Sequence, residues 1–405
     1  MRIIGNCGGS PPAAPLVPVG HLGPGAADAR RSLRILLVAS HIGRARDANP
    51  VQPDGADALR AGLIGYAYSG KTTLFQAVAI GHAHGDVASV PVPDPRFDRL
   101  CEDIQPKKRT HASVEIVDNA ARIPEPGGAR PADFAQAARR PDLLIHVVRE
   151  FRSPNVPFHA EPDPERDHDA VMTELVLADL QTIENRIARL EKERESQNPG
   201  TEQYIHRTLL EHVKPLVEEG TPVRSVEMDD LEREVLQSYQ LLTLKPVVVA
   251  INCSEDRIHE VSPLQEKLRS QDEPAFRICA EIEKEITRMD WDERREFYKD
   301  LGIASPATES LIRAVYDALG LISFFTVVGS EARAWPLRRG ANALKAAETV
   351  HTEIARGFIR AEVVGCADFE ESGSLKACYD RNLMHLERKE YVVQDGDILK
   401  IRHKT

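Results

Sequence analysis

The sequence predicts an α/β protein: a largely parallel sheet covered on both faces, followed by a small mixed α+β unit. Three observations lead there. Leu143–Val148 and Val247–Ile251 are near-continuous apolar runs, the pattern of strands buried on both faces. Segments of helical period alternate with them. After Leu319 the pattern changes to short strands around one helix. At 405 residues the chain is long enough for two or three domains.

Residues 1–58 differ from the rest. They are rich in Ala, Gly, Pro and Arg, contain no Lys and no Glu, and show no sustained period. Leu33–Ala39 is their one apolar patch, and Met1–Pro24 lacks the apolar core and cleavage site of a secretory signal. Two readings stand: a disordered extension, or an over-extended gene start with translation beginning near Leu59.

Order begins at Ala61. Gly62–Ile64 reads as a short buried strand, then comes a Gly-bearing turn, then a helix over Thr72–Ile80. Ser113–Val117 is a strand ending in Asp118, and Ala275–Cys279 is a further short strand. Between the two apolar runs, Val176, Leu180, Ile183, Ile187 and Leu190 follow a 4-3-4-3 spacing, a heptad seam. Asn198-Pro199-Gly200 breaks it, and Ile205, Leu209, Val213 and Leu216 form a second stripe. The spacing predicts an antiparallel helical hairpin over 163–220, its polar flanks favouring projection into solvent over packing on the core. A helix over Thr308–Leu319 closes the α/β part. Strands are then expected at Phe324–Val327, Ala332–Leu337, Phe358–Val364, Glu390–Val393 and Ile398–Arg402, with one helix near Ala341–Val350.

Composition excludes several classes. The formal net charge is −11, against a chain coated in positive charge for wrapping DNA, so no DNA partner is expected. No stretch approaches the ~20 apolar residues of a membrane helix. The six cysteines form no C-x-x-C pair and read as free thiols in a reducing cytosol.

Gly65-Tyr66-Ala67-Tyr68-Ser69-Gly70-Lys71-Thr72 matches G-x-x-x-x-G-K-[ST] between a strand and a helix. Backbone N–H groups freed by the glycines cradle phosphates, and the helix N-terminus adds a favourable dipole. Lys71 is expected to reach the β- and γ-phosphates, the Thr72 hydroxyl to ligate Mg²⁺, and Tyr68, Ser69 and Thr73 to complete the binding surface. Asp118, at the tip of a neighbouring strand, stands where a nucleoside triphosphatase holds its Mg²⁺ through water. Asn252-Cys253-Ser254-Glu255 follows a strand at the place where a GTPase carries Asn-Lys-x-Asp. An Asp there accepts two hydrogen bonds from guanine. The longer Glu255 removes that reason to select guanine, while Asn252 can still contact the base. His351 reads as structural, and Glu281, Glu283 and Glu285 as a solvated acidic helix start. The cations of 333–360 (Arg333, Arg338, Arg339, Lys345, Arg356, Arg360) give a local excess that could meet RNA phosphates.

From about Ala61 to Thr405 the sequence resembles the Obg-like ATPases of the YchF type. The resemblance rests on Pro91–Arg96, Gln105–Lys108, Val114–Asp118, Glu174–Leu180, Arg333–Trp335, Val350–Thr352, Arg356–Val363 and Tyr391–Ile398, besides the phosphate loop. It implies a Ras-like P-loop domain over 59–162 and 221–320, the helical hairpin over 163–220, and a C-terminal TGS domain of ubiquitin-like β-grasp fold over 322–405. It further implies ATP in preference to GTP, Asn252 and Glu255 at the base-recognition positions, and association with ribosomes; the free thiols and the want of a membrane-length run add the expectation of a cytoplasmic location without membrane contact.

The departures define a divergent member. The family's Tyr-Pro-Phe-x-Thr loop, whose Thr senses Mg²⁺ and the γ-phosphate, has no counterpart in the shorter Gly81–Val90 segment. Asp-x-Ala-Gly-Leu becomes Asp118-Asn119-Ala120-Ala121-Arg122, and the Gly-rich stretch after it shrinks to Gly127-Gly128. Arg122 stands where a GTPase keeps its water-orienting Gln and is a candidate charge stabiliser. Two functions follow: a slow ATPase coupling nucleotide state to a ribosome or RNA contact, or a non-hydrolysing nucleotide-binding scaffold acting through its C-terminal domain.

Overall fold

Strand β6 (Leu143–Arg149) alternates between two cores. Leu143, Ile145 and Val147 enter one apolar cluster, and Leu144 and Val148 enter the other. Its neighbour β7 (Val247–Asn252) does the same, with Val248 and Ala250 on the first side and Val247, Val249 and Ile251 on the second. Period-two geometry with both faces covered explains why these runs read as continuously apolar. The computed structural model describes residues 59–79, 83–123, 134–289, 291–303 and 305–404. The expectations for 1–58 and for Gly127-Gly128 lie outside them.

The first sheet adds β1 (Arg60–Gly65), β2 (Ala83–His84), β3 (Val87–Pro91), β5 (Ser113–Arg122) and β8 (Ala275–Ile278), in the order β2-β3-β5-β1-β6-β7-β8. Pairing is parallel from β5 to β8 and antiparallel at β2–β3–β5, so the sheet is mixed. Along this part lie helices α1 (Lys71–Ala79), α2 (Pro95–Ile104), α3 (Phe134–Arg139), α4 (Pro164–Leu190), α5 (Glu202–Glu218), α6 (Asp230–Gln237), α7 (Pro263–Ser270), α8 (Ala280–Ile286), α9 (Trp291–Asp300) and α10 (Ala307–Ala318).

A second, six-stranded sheet has the order β12-β11-β13-β9-β10-β4. Its strands are β4 (Lys108–Thr110), β9 (Leu321–Val328), β10 (Glu331–Arg338), β11 (Phe358–Gly365), β12 (His385–Glu387) and β13 (Asp397–His403). Helix α11 (Ala343–Val350) covers one face through Ala343 and Ala346 against Ile322, Phe324, Ala361 and Leu399. Phe325, Ala332, Ala334 and Ile398 on the other face join the first sheet's core with Phe97 and Leu311. Strand β4, from far upstream, pairs in parallel with β10 and fastens the two parts together.

Several expectations need correction. Gly81–Val90 is not simply a loop: Ala83–His84 and Val87–Pro91 form a hairpin turned at Gly85 (φ +65°), because Ala88 and Val90 alternate into the core. Strand β5 does not end at Asp118. It runs to Arg122 because pairing with β1 resumes after a register shift, Ala121 opposite Ile64 and Arg122 opposite Gly65. Glu390–Val393 is no strand. Val392 makes an isolated bridge to Asn342, and β12 takes the edge position instead. Three further short helices were not expected: α12 (Thr352–Arg356), α13 (Cys366–Ser372) and α14 (Leu375–Asp380). They are too brief to show a periodic stripe.

The helical segment is a pair, α4 and α5, with the heptad residues Val176, Ile183 and Leu190 against Ile205, Leu209 and Val213. It does not simply project. Val171, Leu175 and Ala178 of α4 lie on the sheet's own core, and buried Asp179 accepts hydrogen bonds from the Leu242 and Thr243 backbone N–H groups at 2.7 Å each. Glu283 is also no solvated residue. It is buried and accepts bonds from Tyr298 Oη, Ala307 N and Thr308 Oγ1. His351 is structural, its ring accepting from Glu353 N at the start of α12.

Candidate functional site

The turn between β1 and α1 is shaped by two glycines. Gly65 has φ +143°, and a Cβ there would lie 2.4 Å from the Val147 carbonyl oxygen. Gly70 has φ +97°, and its Cβ would lie 2.1 Å from Asn252 Nδ2. Side chains at either position would push the loop off the sheet edge. Tyr68, at the tip, also has a left-handed backbone (φ +60°) and an exposed ring.

Lys71 is buried and folds back over its own loop, its Nζ donating to the Gly65 carbonyl at 2.9 Å and the Tyr66 carbonyl at 2.6 Å. Asn252, at the end of β7, bolts the loop in place. Its Nδ2 donates to the Ser69 carbonyl at 3.0 Å, and its Oδ1 accepts from Ala280 N at 3.1 Å. Its amide therefore braces three elements. A cavity of about 680 Å³ opens beside the loop, floored by Gly70, Lys71 and Asn252 and walled by Phe151 and Ile282. Thr72, Thr73 and Glu255 also line it, Glu255 exposed at its rim.

Asp118 lies close to this end of α1. Burial pushes its carboxyl above the usual range, opposed by a hydrogen bond from Thr72 and by the charge of Lys71. Its Oδ1 is buried with no hydrogen-bond partner, as is Ser69 Oγ. A buried carboxylate oxygen without a partner is costly unless something cationic meets it. Thr72 and Asp118 together therefore fit a water-bridged divalent cation. Among the described residues no group of three or more His, Cys, Asp or Glu could hold a metal alone, so phosphate oxygens would have to complete the shell. Of Arg122 only the backbone, paired with Gly65, lies within the description; its side chain lies outside the described residues.

Arg149 was not anticipated. It is buried at the end of β6, where burial pushes its guanidinium below the usual range. It donates to four carbonyls, those of Tyr68 (3.3 Å), Phe151, Val156 and Pro157 (3.1 Å each). Its guanidinium carbon stands 4.2 Å from the Phe151 ring centroid and 4.7 Å from that of Phe158. One side chain thus joins the glycine-shaped loop Gly65–Thr72 to the cavity wall. The visible signal was a cation ending an apolar run.

Residues 321–404 match the family model YchF-GTPase_C, described as a protein of unknown function (DUF933). Over 364 aligned residues the chain is 33% identical to the ribosome-binding ATPase YchF of Bacillus subtilis, covering 85% of this chain and 99% of the relative. Identity to the Haemophilus influenzae protein of the same name is 34% at the same coverage. The solved structure of the Schizosaccharomyces pombe YchF GTPase superposes with a TM-score of 0.77 at 26% identity, covering 87% of this chain and 100% of that one.

Proposed function

This chain belongs to the YchF family, and on that premise we propose that it is a nucleoside triphosphatase that takes ATP in preference to GTP and couples its nucleotide state to ribosome contact. The observation that carries the reading is the braced loop Gly65–Thr72 beside its cavity, with Lys71 and the orphaned Asp118 Oδ1 at one end. Curated relatives are named ribosome-binding ATPases, and the solved relative a GTPase. Glu255 removes the reason to prefer guanine, since its longer arm does not set the paired acceptors where guanine needs them.

Residues 59–162 with 221–320 would form the nucleotide-binding unit, 163–220 the helical insert and 322–405 the TGS-like β-grasp unit. Lys71 would leave its two carbonyls for the β- and γ-phosphates, while the loop amides hold the remaining oxygens without reorganising. Thr72 and Asp118 would hold the Mg²⁺, which when bound neutralises charge on the phosphates. Work on ribosomes would place the protein in the cytoplasm; among the described residues no helix is long and apolar enough to cross a membrane.

A second reading, nucleotide binding without turnover, is favoured by one feature. The segment 118–122, which must move to meet a γ-phosphate, belongs to strand β5, and its end, Ala121 and Arg122, pairs with Ile64 and Gly65 of β1. Single-turnover hydrolysis of ATP and GTP by the purified chain separates the two readings. A measurable ATP rate abolished by Lys71→Ala supports the enzyme. Tight binding with no rate supports the scaffold, and an unchanged calorimetric isotherm for Lys71→Ala would overturn the site altogether.

A further inference from the structure

Behind one wall of the cavity lies an ion pair with no part in the loop Gly65–Thr72. Glu150 follows β6, between Arg149 and the cavity-wall residue Phe151. Its carboxylate meets Arg277 of β8, with Arg277 Nε donating at 2.8 Å and Nη2 standing 2.6 Å away. The two side chains are only 4% and 5% exposed. Desolvation offsets much of the attraction in so buried a pair, so stability alone does not account for it.

The pair is tied to one loop. After Asn252 the chain makes a single 3₁₀ turn, Glu255–Arg257, and carries Glu255 exposed at the cavity rim. Arg277 Nη1 donates to the carbonyl of Glu260, at the far end of that loop. Arg257 donates from Nε to the Glu260 carboxylate at 2.7 Å and from Nη1 to the Glu150 carbonyl at 3.4 Å. Glu150 N and Phe151 N both donate to the Asn252 carbonyl, at 2.8 and 3.2 Å. Glu150, Arg277, Glu260 and Arg257 thus close a ring. It fixes the backbone that carries Glu255 against the wall that carries Phe151.

That fixation bears on the choice of base. Glu is longer than Asp by one methylene, roughly 1.3 Å along the arm for a C–C bond of ~1.5 Å. A backbone free to retreat by that distance would bring the Glu255 oxygens to where guanine's N1–H and amino group need them. A backbone held in place keeps the mismatch. We propose that Glu150 and Arg277 are positioning residues for base selection: by holding the loop 253–260 they deny guanine nucleotides a paired acceptor. Neither residue lines the cavity, so both act through Glu255. The proposal rests on the reading above that places the base beside Asn252 and Glu255.

The test titrates the full chain with ADP and with GDP, in Mg²⁺, by calorimetry; diphosphates keep hydrolysis out of the comparison. One variant is Glu150→Met with Arg277→Met, exchanged together so that no lone charge stays inside. Another is Arg277→Lys with Arg257→Gln, which leaves Glu150 a counter-charge but removes both arginine forks from the loop. The third, Glu255→Asp, shortens the arm with the ring intact. Each is expected to raise GDP affinity relative to ADP by roughly fivefold or more, the discrimination that a bidentate base contact carries. A merely structural role would weaken both nucleotides alike and yield no gain for guanine; that result overturns the proposal. An unchanged ratio in the first two variants, with a rise in Glu255→Asp, overturns it too and leaves the base position standing. No rise with Glu255→Asp overturns the base position itself, and the proposal with it. If the methionine pair fails to melt cooperatively, the second variant decides.

Discussion

Arg96 and Asp395, separated by 299 residues, are joined by two parallel N–H···O bonds of 3.1 Å each. The same guanidinium holds Asp94, the N-cap of α2, at 2.8 and 3.0 Å. Asp395 in turn accepts from Ser323 N in β9. One arginine thus ties the segment after the β2–β3 hairpin to the turn before the last strand.

Removing that arginine leaves Asp94, which is 2% exposed, with Arg313 at 3.7 Å as its nearest remaining cation. Arg96→Ala is therefore expected to lower stability by about 3 kcal/mol, the cost of stripping a buried carboxylate. Asp395→Asn, at a half-exposed position, should cost about 1 kcal/mol or less. Urea unfolding curves compare the two; equal losses would show that Asp94 is not the group at stake.

A second expectation concerns acid. His146 on β6 and His168 on α4 face each other with their Nδ1 atoms 3.2 Å apart, both buried. Burial holds both rings neutral, lowering His168 to about 4. A base with a depressed folded value adds stability that is present above its unfolded value and is lost as pH falls toward the folded one. Stability should therefore drop by roughly 3 kcal/mol between about pH 6.5 and pH 4. Melting across that window checks it, and His168→Gln should flatten the curve. A wild-type curve already flat there would mean the pair stays solvated.

Arg149 gives the third. Lysine cannot span four carbonyls from one head group. Arg149→Lys should cost about 2 kcal/mol through carbonyls left unpaired in the interior. It should also weaken nucleotide binding, because Tyr68 and Phe151 lose their common anchor. Calorimetry and thermal melting on the same variant test this. Lost stability with unchanged affinity would confine Arg149 to folding.

How far the sequence carried these conclusions depends on length scale. The runs Leu143–Val148 and Val247–Ile251 were legible because burial on both faces leaves a pattern that polar surface cannot mimic. The turn between β1 and α1 was legible because its glycines and lysine have fixed offsets. The α4–α5 pair was legible from its heptad, yet its attachment to the sheet was not, since Asp179 gives no periodic signal for the backbone N–H groups it caps. Glu283 misled for a related reason: among neighbouring acids, only tertiary structure tells which one meets Tyr298 and Thr308. Arg149 reaches the Tyr68 carbonyl 81 residues upstream and β4 pairs with the distant β10, links that one chain does not show, while the three short helices are too brief to show a stripe.

The last prediction joins base choice to the two segments proposed to face the γ-phosphate. A ligand shifts a conformational equilibrium only by its differential affinity for the two states. Here the segment 118–122 is strand, paired through Ala121 and Arg122 to Ile64 and Gly65, the last two residues of β1. The hairpin Ala83–Pro91 is likewise held in the sheet and contains no threonine to reach a metal. Neither element gains new contacts with a triphosphate unless it first leaves the sheet, at the cost of its ladder bonds. ATP and ADP should therefore differ by less than tenfold in affinity, about 1.4 kcal/mol, and ATP should bind at least as well as GTP because Glu255 offers guanine no matched acceptor pair. Titrations with Mg²⁺ decide both points. A far tighter ATP complex, with altered hydrogen exchange over Ala83–Pro91 and 118–122, would show that these strands release on binding and that a working γ-phosphate switch survives in them.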